Sequence, residues 1–143
     1  MSEAFEFATL KLKLPATWRD GTQDGEDLPP TLVREQGVGS LQFSVARYAS
    51  GEAPNMTLAD LRELLSARIA RHGLQSKALT EHSRATRMSV RGRCWDSDVA
   101  CSLWMLSNGS DIAFVSYVFI REDGEPSAEE LSEAEAIVNS IEF

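Results

Sequence analysis

Three apolar-alternating runs between Arg84 and Arg121, joined by Asp96-Ser97-Asp98 and by Asn108-Gly109, constrain this chain more than any other feature. Alternation with period two marks half-buried strands, and connections this short join neighbouring strands only in antiparallel fashion. Asn-Gly tolerates the positive φ angles of a two-residue hairpin turn, so it sets a register. Such a turn puts Leu103 opposite Phe114, Met105 opposite Ile112 and Trp104 opposite Ala113. Cys101, Leu103, Met105, Ile112, Phe114, Val118 and Ile120 then share one face, read as core, while Ala100, Ser102, Trp104, Val115, Tyr117 and Phe119 share the other.

The preceding connection extends the pattern. A two-residue turn at Ser97-Asp98 sets Arg91 opposite Trp104, Arg93 opposite Ser102, Trp95 opposite Ala100 and Cys94 opposite Cys101. Arg87, Arg91 and Arg93 thereby gather with Trp95, Trp104 and Tyr117 on one side of the sheet, and these six are the candidate partner-binding residues. Arginine, tryptophan and tyrosine are over-represented where interface energy concentrates. The competing reading has a helix covering the Trp104 face, with the arginines as its rim.

Upstream, Phe5 to Leu14 reads as one half-buried strand closed by Pro15, and Thr31–Gln36 with Val38–Ala49 as a hairpin around Gly37 that turns Leu41, Phe43 and Val45 inward. Asp20–Asp27 is acidic and glycine-rich, a surface loop; a calcium loop fits poorly, since Thr22 and Thr31 stand where carboxylate ligands belong. Thr57 caps a helix with Asp60 at its third position, Leu58, Leu61, Leu64, Leu65 and Ile69 on its inner stripe and Gly73 as its stop. Ser127 and Glu130 form a capping box for the last helix, whose inner stripe is Leu131, Ala134, Val138 and Ile141. Residues 1–143 read as one α+β domain in the order β-β-β-α-β-β-β-α.

Charge narrows the partners. The net charge of −8 opposes binding to a phosphate backbone, which depends on lysine and arginine releasing counterions. Its distribution is uneven, with eight Lys/Arg against three Asp/Glu in residues 57–93, and one Arg against eleven Asp/Glu in residues 94–143. The acidic last helix, with Glu129, Glu130, Glu133 and Glu135, is expected to steer a basic protein partner. No basic leader opens the chain and no apolar run approaches the roughly 18 residues of a membrane span, so a cytoplasmic protein without membrane insertion is expected.

Catalytic chemistry is sparse. His72 and His82 fit no metal-ligand spacing, and Cys94 and Cys101 lack the short step of a zinc knuckle. Gly37-Val38-Gly39 is too short to cradle a phosphate. Neither a cofactor nor a metal is expected. A nucleophile pair of Cys94 or Cys101 with His82 is the enzymatic alternative; otherwise the cysteines are reduced, buried and apolar in character.

The element order, the opening strand that ends Leu14-Pro-Ala-Thr-Trp18 and the closing Ile137-Val-Asn-Ser-Ile-Glu-Phe143 resemble the PsbP-like fold superfamily, whose members include the photosystem PsbP subunit, the Ran-binding Mog protein and the Eag chaperones of type VI secretion effectors. The resemblance covers nearly the whole chain and transfers no site residue. It implies an α/β/α sandwich on a mostly antiparallel sheet, used as a non-enzymatic protein-binding scaffold. Bacterial members of this size are similar to immunity or accessory proteins of secreted toxins, which makes a basic toxin or secreted effector the expected partner. An Eag-like chaperone is the alternative, weakened because Arg87, Arg91 and Arg93 would interrupt an apolar cradle.

Overall fold

The computed structural model describes residues 2–23, 28–48, 51, 55–84 and 86–143. The acidic loop expected at Asp20–Asp27 therefore lies outside the described residues from 24 to 27, as do residues 49 and 50 beyond the second hairpin.

The central meander forms where alternation predicted it. Strands β8 (Arg87–Trp95), β9 (Val99–Ser107) and β10 (Ile112–Ile120) pair antiparallel, and Cys94↔Cys101 and Arg91↔Trp104 are partners as the Ser97-Asp98 turn requires. The β9–β10 register differs from expectation by two residues: Met105 faces Phe114 and Trp104 faces Val115. Asn108 causes the shift. Its side-chain oxygen accepts from the amides of Ser110 (3.1 Å) and Asp111 (2.8 Å), an Asx turn that lengthens the connection beyond the two-residue type. A slip of two preserves side-chain parity, so both faces keep the predicted residues.

The sheet extends on both sides of the meander. β5 (Gly39–Ala46) pairs with β10, followed outward by β4 (Thr31–Arg34) and β3 (Trp18–Asp20). At the opposite edge, β6 (Gln75–Ser76) and β7 (Thr80–Arg84) take successive stretches of β8. The result is an eight-stranded sheet in the order β3-β4-β5-β10-β9-β8-β6, with β7 also on β8. The α+β class holds, but five strands precede the first helix and five separate the helices, rather than three and three.

One of the extra strands arises within Phe5–Leu14. It is two strands, β1 (Ser2–Phe7) and β2 (Leu10–Pro15), paired as a separate hairpin with Phe5↔Leu12 and Phe7↔Leu10. Ala8 (φ 52°) and Thr9 (φ 67°) make the turn without glycine or asparagine. Arg47 holds it, donating to the Thr9 carbonyl and, at 3.3 Å, to the Thr9 hydroxyl, while pairing with Asp111 at 2.9 Å.

Helix α1 (Leu58–Arg71) starts on a complete capping box, with Asp60 N–H donating to Thr57 Oγ1 and Thr57 N–H to Asp60 Oδ2. Leu61, Leu65 and Ile69 are buried against Val90, Cys94, Leu103 and Met105, but Leu64, expected on the inner stripe, is 41% exposed. Helix α2 (Ala128–Asn139) covers the other face with Ala134, Ile137 and Val138, joined by Ile141 and the β1–β2 hairpin, over Leu106, Val115, Phe43 and Trp104. Its buried stripe is rotated from expectation: Glu130 points in and Leu131 is 43% exposed.

Candidate functional site

Alternation along β8 sends Arg87, Arg91, Arg93 and Trp95 to the α2 side and Met88, Val90 and Cys94 to the α1 side. The arginines meet α2 in sequence. α2 has no basic residue in its own last turn, and the sheet supplies that charge: Arg87 Nη1 donates to the carbonyls of Val138 (3.1 Å) and Ile141 (2.9 Å), and Arg84 Nη2 to that of Asn139 (2.8 Å). These bonds add donors at the carbonyls in and just beyond the last turn of the helix and place cations at the negative end of its dipole. Burial, reinforced by the neighbouring Arg84 charge and opposed by Glu142, brings the Arg87 guanidinium down to about 10.

Arg91 lies farther along the same row. Its guanidinium pairs with Glu135 at 2.9 Å, donates to Ser102 Oγ at 3.4 Å and stacks 4.9 Å from the Trp104 ring. Burial lowers its pKa against the opposing pull of Glu135, and among the described residues its buried Nε–H has no acceptor. Beside it, a groove of about 360 Å³ runs between the β7–β8 edge and α2. His82, Arg84, Arg87 and Arg91 line it with Thr80 and Glu135, and Trp104 contributes to its floor.

The six expected contact residues divide into two groups. Arg87 (7% exposed), Trp104 (4%) and Tyr117 (1%) are interior, so the open arginine–aromatic surface is corrected to the covered one. The reason lies in α2, whose apolar stripe needs the Trp104 face to bury itself. Arg93 is exposed, Trp95 is half-buried with its indole N–H donating to Gln75 Oε1 at 3.1 Å, and Arg91 sits at the boundary.

The glutamates of α2 are engaged inward too. Glu130 is 2% exposed and accepts from the Tyr117 hydroxyl (2.6 Å), Gly39 N–H (3.0 Å) and Val38 N–H (3.2 Å). Hence the capping box is half formed: Ser127 caps the Glu130 amide, but the Glu130 carboxylate reaches the sheet instead of the helix start. Burial together with this carboxylate pushes the Tyr117 phenol far above its ordinary value. Gly39 permits the contact, because a Cβ there would lie 2.4 Å from the Tyr117 ring and hydroxyl. Glu133 binds Arg34 (2.7 Å), the Trp18 indole N–H (3.1 Å) and the Thr17 hydroxyl (3.1 Å). Partial burial would raise the Glu133 carboxyl, but these donors outweigh it and hold it below the usual range. Of the acidic stripe expected to steer a basic partner, Glu130 and Glu133 are turned inward, Glu135 is half exposed on Arg91 and Glu129 faces outward.

The proposed nucleophile pair is separated by the sheet. His82 pairs with Ser89 and shares the α2 side, whereas Cys94 belongs to the α1 side. Both cysteines are free thiols and buried, and a thiol–thiol hydrogen bond plus burial pushes Cys101 well above its ordinary value. Among the described residues, no three His, Cys, Asp or Glu side chains gather as a metal site, and no helix is long and apolar enough to cross a membrane.

Sequence reasoning considered His82 only as a metal ligand or as a partner for a cysteine and left Arg84 out of the site. Both belong to β7, exposed along its whole length, so no apolar alternation announces it. The available signal was the short spacing between Arg84 and Arg87, which prove to be antiparallel partners across β7 and β8.

No family model matches the chain, and no curated protein matches it in sequence. Solved structures do. A mutant of the protein Mog1 superposes with a TM-score of 0.61 at 10% identity, covering 99% of this chain and 95% of that one. A protein from Bacteroides thetaiotaomicron gives 0.51 at 13% identity, covering 93% of this chain and 44% of that one. The chain thus shares the fold of Mog1.

Proposed function

We propose that this chain is a non-enzymatic cytoplasmic module that binds another protein, as an immunity or accessory factor for a secreted toxin. The observation that carries the reading is the basic row of His82, Arg84, Arg87, Arg91 and Arg93 beside α2 on a chain whose net charge is −8. Concentrating cations in one strip against the overall charge favours an acidic segment of the partner, with complementarity setting orientation and association rate. Trp95 and Arg93 extend the contact beyond the groove.

This reading reverses the expected sign of the partner's contact surface from basic to acidic. An Eag-like chaperone role suits the row less well, because an apolar segment laid over guanidinium groups would desolvate them without compensation. Buried thiols across the sheet from His82 speak against cysteine chemistry.

The test is binding to the purified products of neighbouring genes by calorimetry. Arg93→Glu and Trp95→Ala should each weaken the complex about 10- to 100-fold, and poly-glutamate should compete. Melting curves serve as the control for folding. Unchanged affinity in both folded variants removes this surface from the interface.

A further inference from the structure

Helix α1 covers β8 and β9 but leaves much of the same sheet face open over β10 and β5, where Ile112, Phe114 and Val118 are only partly buried and Ser44 and Ala46 are exposed. Along the edge of that opening run two adjoining grooves of about 290 and 660 Å³, which share Leu64, Ala67 and Ile112. One ends at Asp60 and Glu63, the other at Arg68 and Arg71. The six α1 residues follow one another at helical spacing, so the helix presents one stripe that is acidic at its N-terminal end, apolar in the middle and basic at its C-terminal end.

That stripe is complementary to itself. Reversed and laid against a second copy, with a two-fold axis between Leu64 and Ala67, it sets Asp60 opposite Arg71, Glu63 opposite Arg68 and Leu64 opposite Ala67, each contact occurring twice. Among the described residues, Glu63, Arg68 and Arg71 make no ion pair within the chain, and Arg68 is already stacked 4.3 Å from the Phe114 ring on the groove wall. We propose that α1 and the open half of the sheet form a symmetric dimer interface, in which two antiparallel α1 helices pack together and each lies over the half-sheet the other copy leaves uncovered. The occupant is a second copy because one stripe supplies both halves of the charge pattern in the right order. An unrelated partner would need the same order by coincidence. The surface is on the face opposite the basic groove, so the two roles are independent.

Sedimentation velocity and light scattering on the purified chain test it. The wild type should show the mass of two chains in the micromolar range. Glu63→Arg and Arg68→Glu, each of which places like charges opposite one another, should weaken self-association at least about 10-fold. Mixing the two variants should restore pairing as a heterodimer, and the double variant E63R/R68E should pair like the wild type. Melting temperatures close to wild type exclude misfolding of α1. A wild type that stays monomeric up to its solubility limit overturns the proposal. So does a dimer indifferent to both reversals, failure of the mixed variants to pair, or a groove filled only by an added apolar helical peptide.

Discussion

Helix α2 and helix α1 cover opposite faces of the same strands, yet α2 is fixed through charged groups and α1 through apolar contact. Around α2, Glu130 receives Tyr117 and two backbone amides, Arg87 takes the carbonyls of Val138 and Ile141 at its C-terminal end, and Arg91 and Glu135 pair at its flank. Beneath α1, Leu61, Leu65, Ile69, Val90, Leu103 and Met105 meet with two free thiols as the most polar groups. Apolar burial is non-directional and roughly additive in area, whereas charge-assisted hydrogen bonds have defined geometry. The α2 face thus gains a fixed helix position, and the α1 face gains stability without specifying what lies beside the helix.

The largest effect should fall on the apolar face. Leu65→Ala removes a fully buried side chain and should cost about 3 kcal/mol in denaturant unfolding; a cost below 1 kcal/mol would mean that α1 packs too loosely for the contrast to hold. Glu130→Gln should cost less, about 1–2 kcal/mol, because the amide oxygen still accepts while the charge assistance is lost. Its distinctive result is faster amide exchange in α2 with α1 unchanged, and acceleration in both helices would break the comparison. Acid should give the smallest and most selective effect. The Glu133 carboxyl titrates lower in the folded chain than in the unfolded one, so its contribution is present above the unfolded value and disappears as pH falls through the folded one. Below about pH 4, exchange in α2 should therefore rise before exchange in α1.

Much of this was legible in the sequence where a physical rule applied without competition. The Ser97-Asp98 turn placed Arg91 against Trp104 and Cys94 against Cys101, and parity along β9 and β10 separated the two cores. The rest failed for identifiable reasons. Asn108 used its side chain to make a longer turn than its glycine neighbour suggested. The Ala8-Thr9 turn lacks the usual turn residues, although the inward positions shift there from odd (Phe5, Phe7) to even (Leu10, Leu12), a change of phase that a single strand cannot produce. Glu130 displaced Leu131 from the interior because tertiary hydrogen bonds outweigh helix periodicity at a position facing Tyr117. For the site, residue types and pairing were readable. Which of them α2 would cover was not, since the helix's rotation depends on those same buried polar contacts.

The distribution of indoles has an experimental consequence. Trp18 donates to Glu133 of α2, and Trp104 lies under the same helix against Arg91, while Trp95 sits on that side of the sheet near its edge. The chain's three tryptophans therefore all report on one hemisphere. Emission spectra will register detachment of the last helix and remain dark to a loosening of the first.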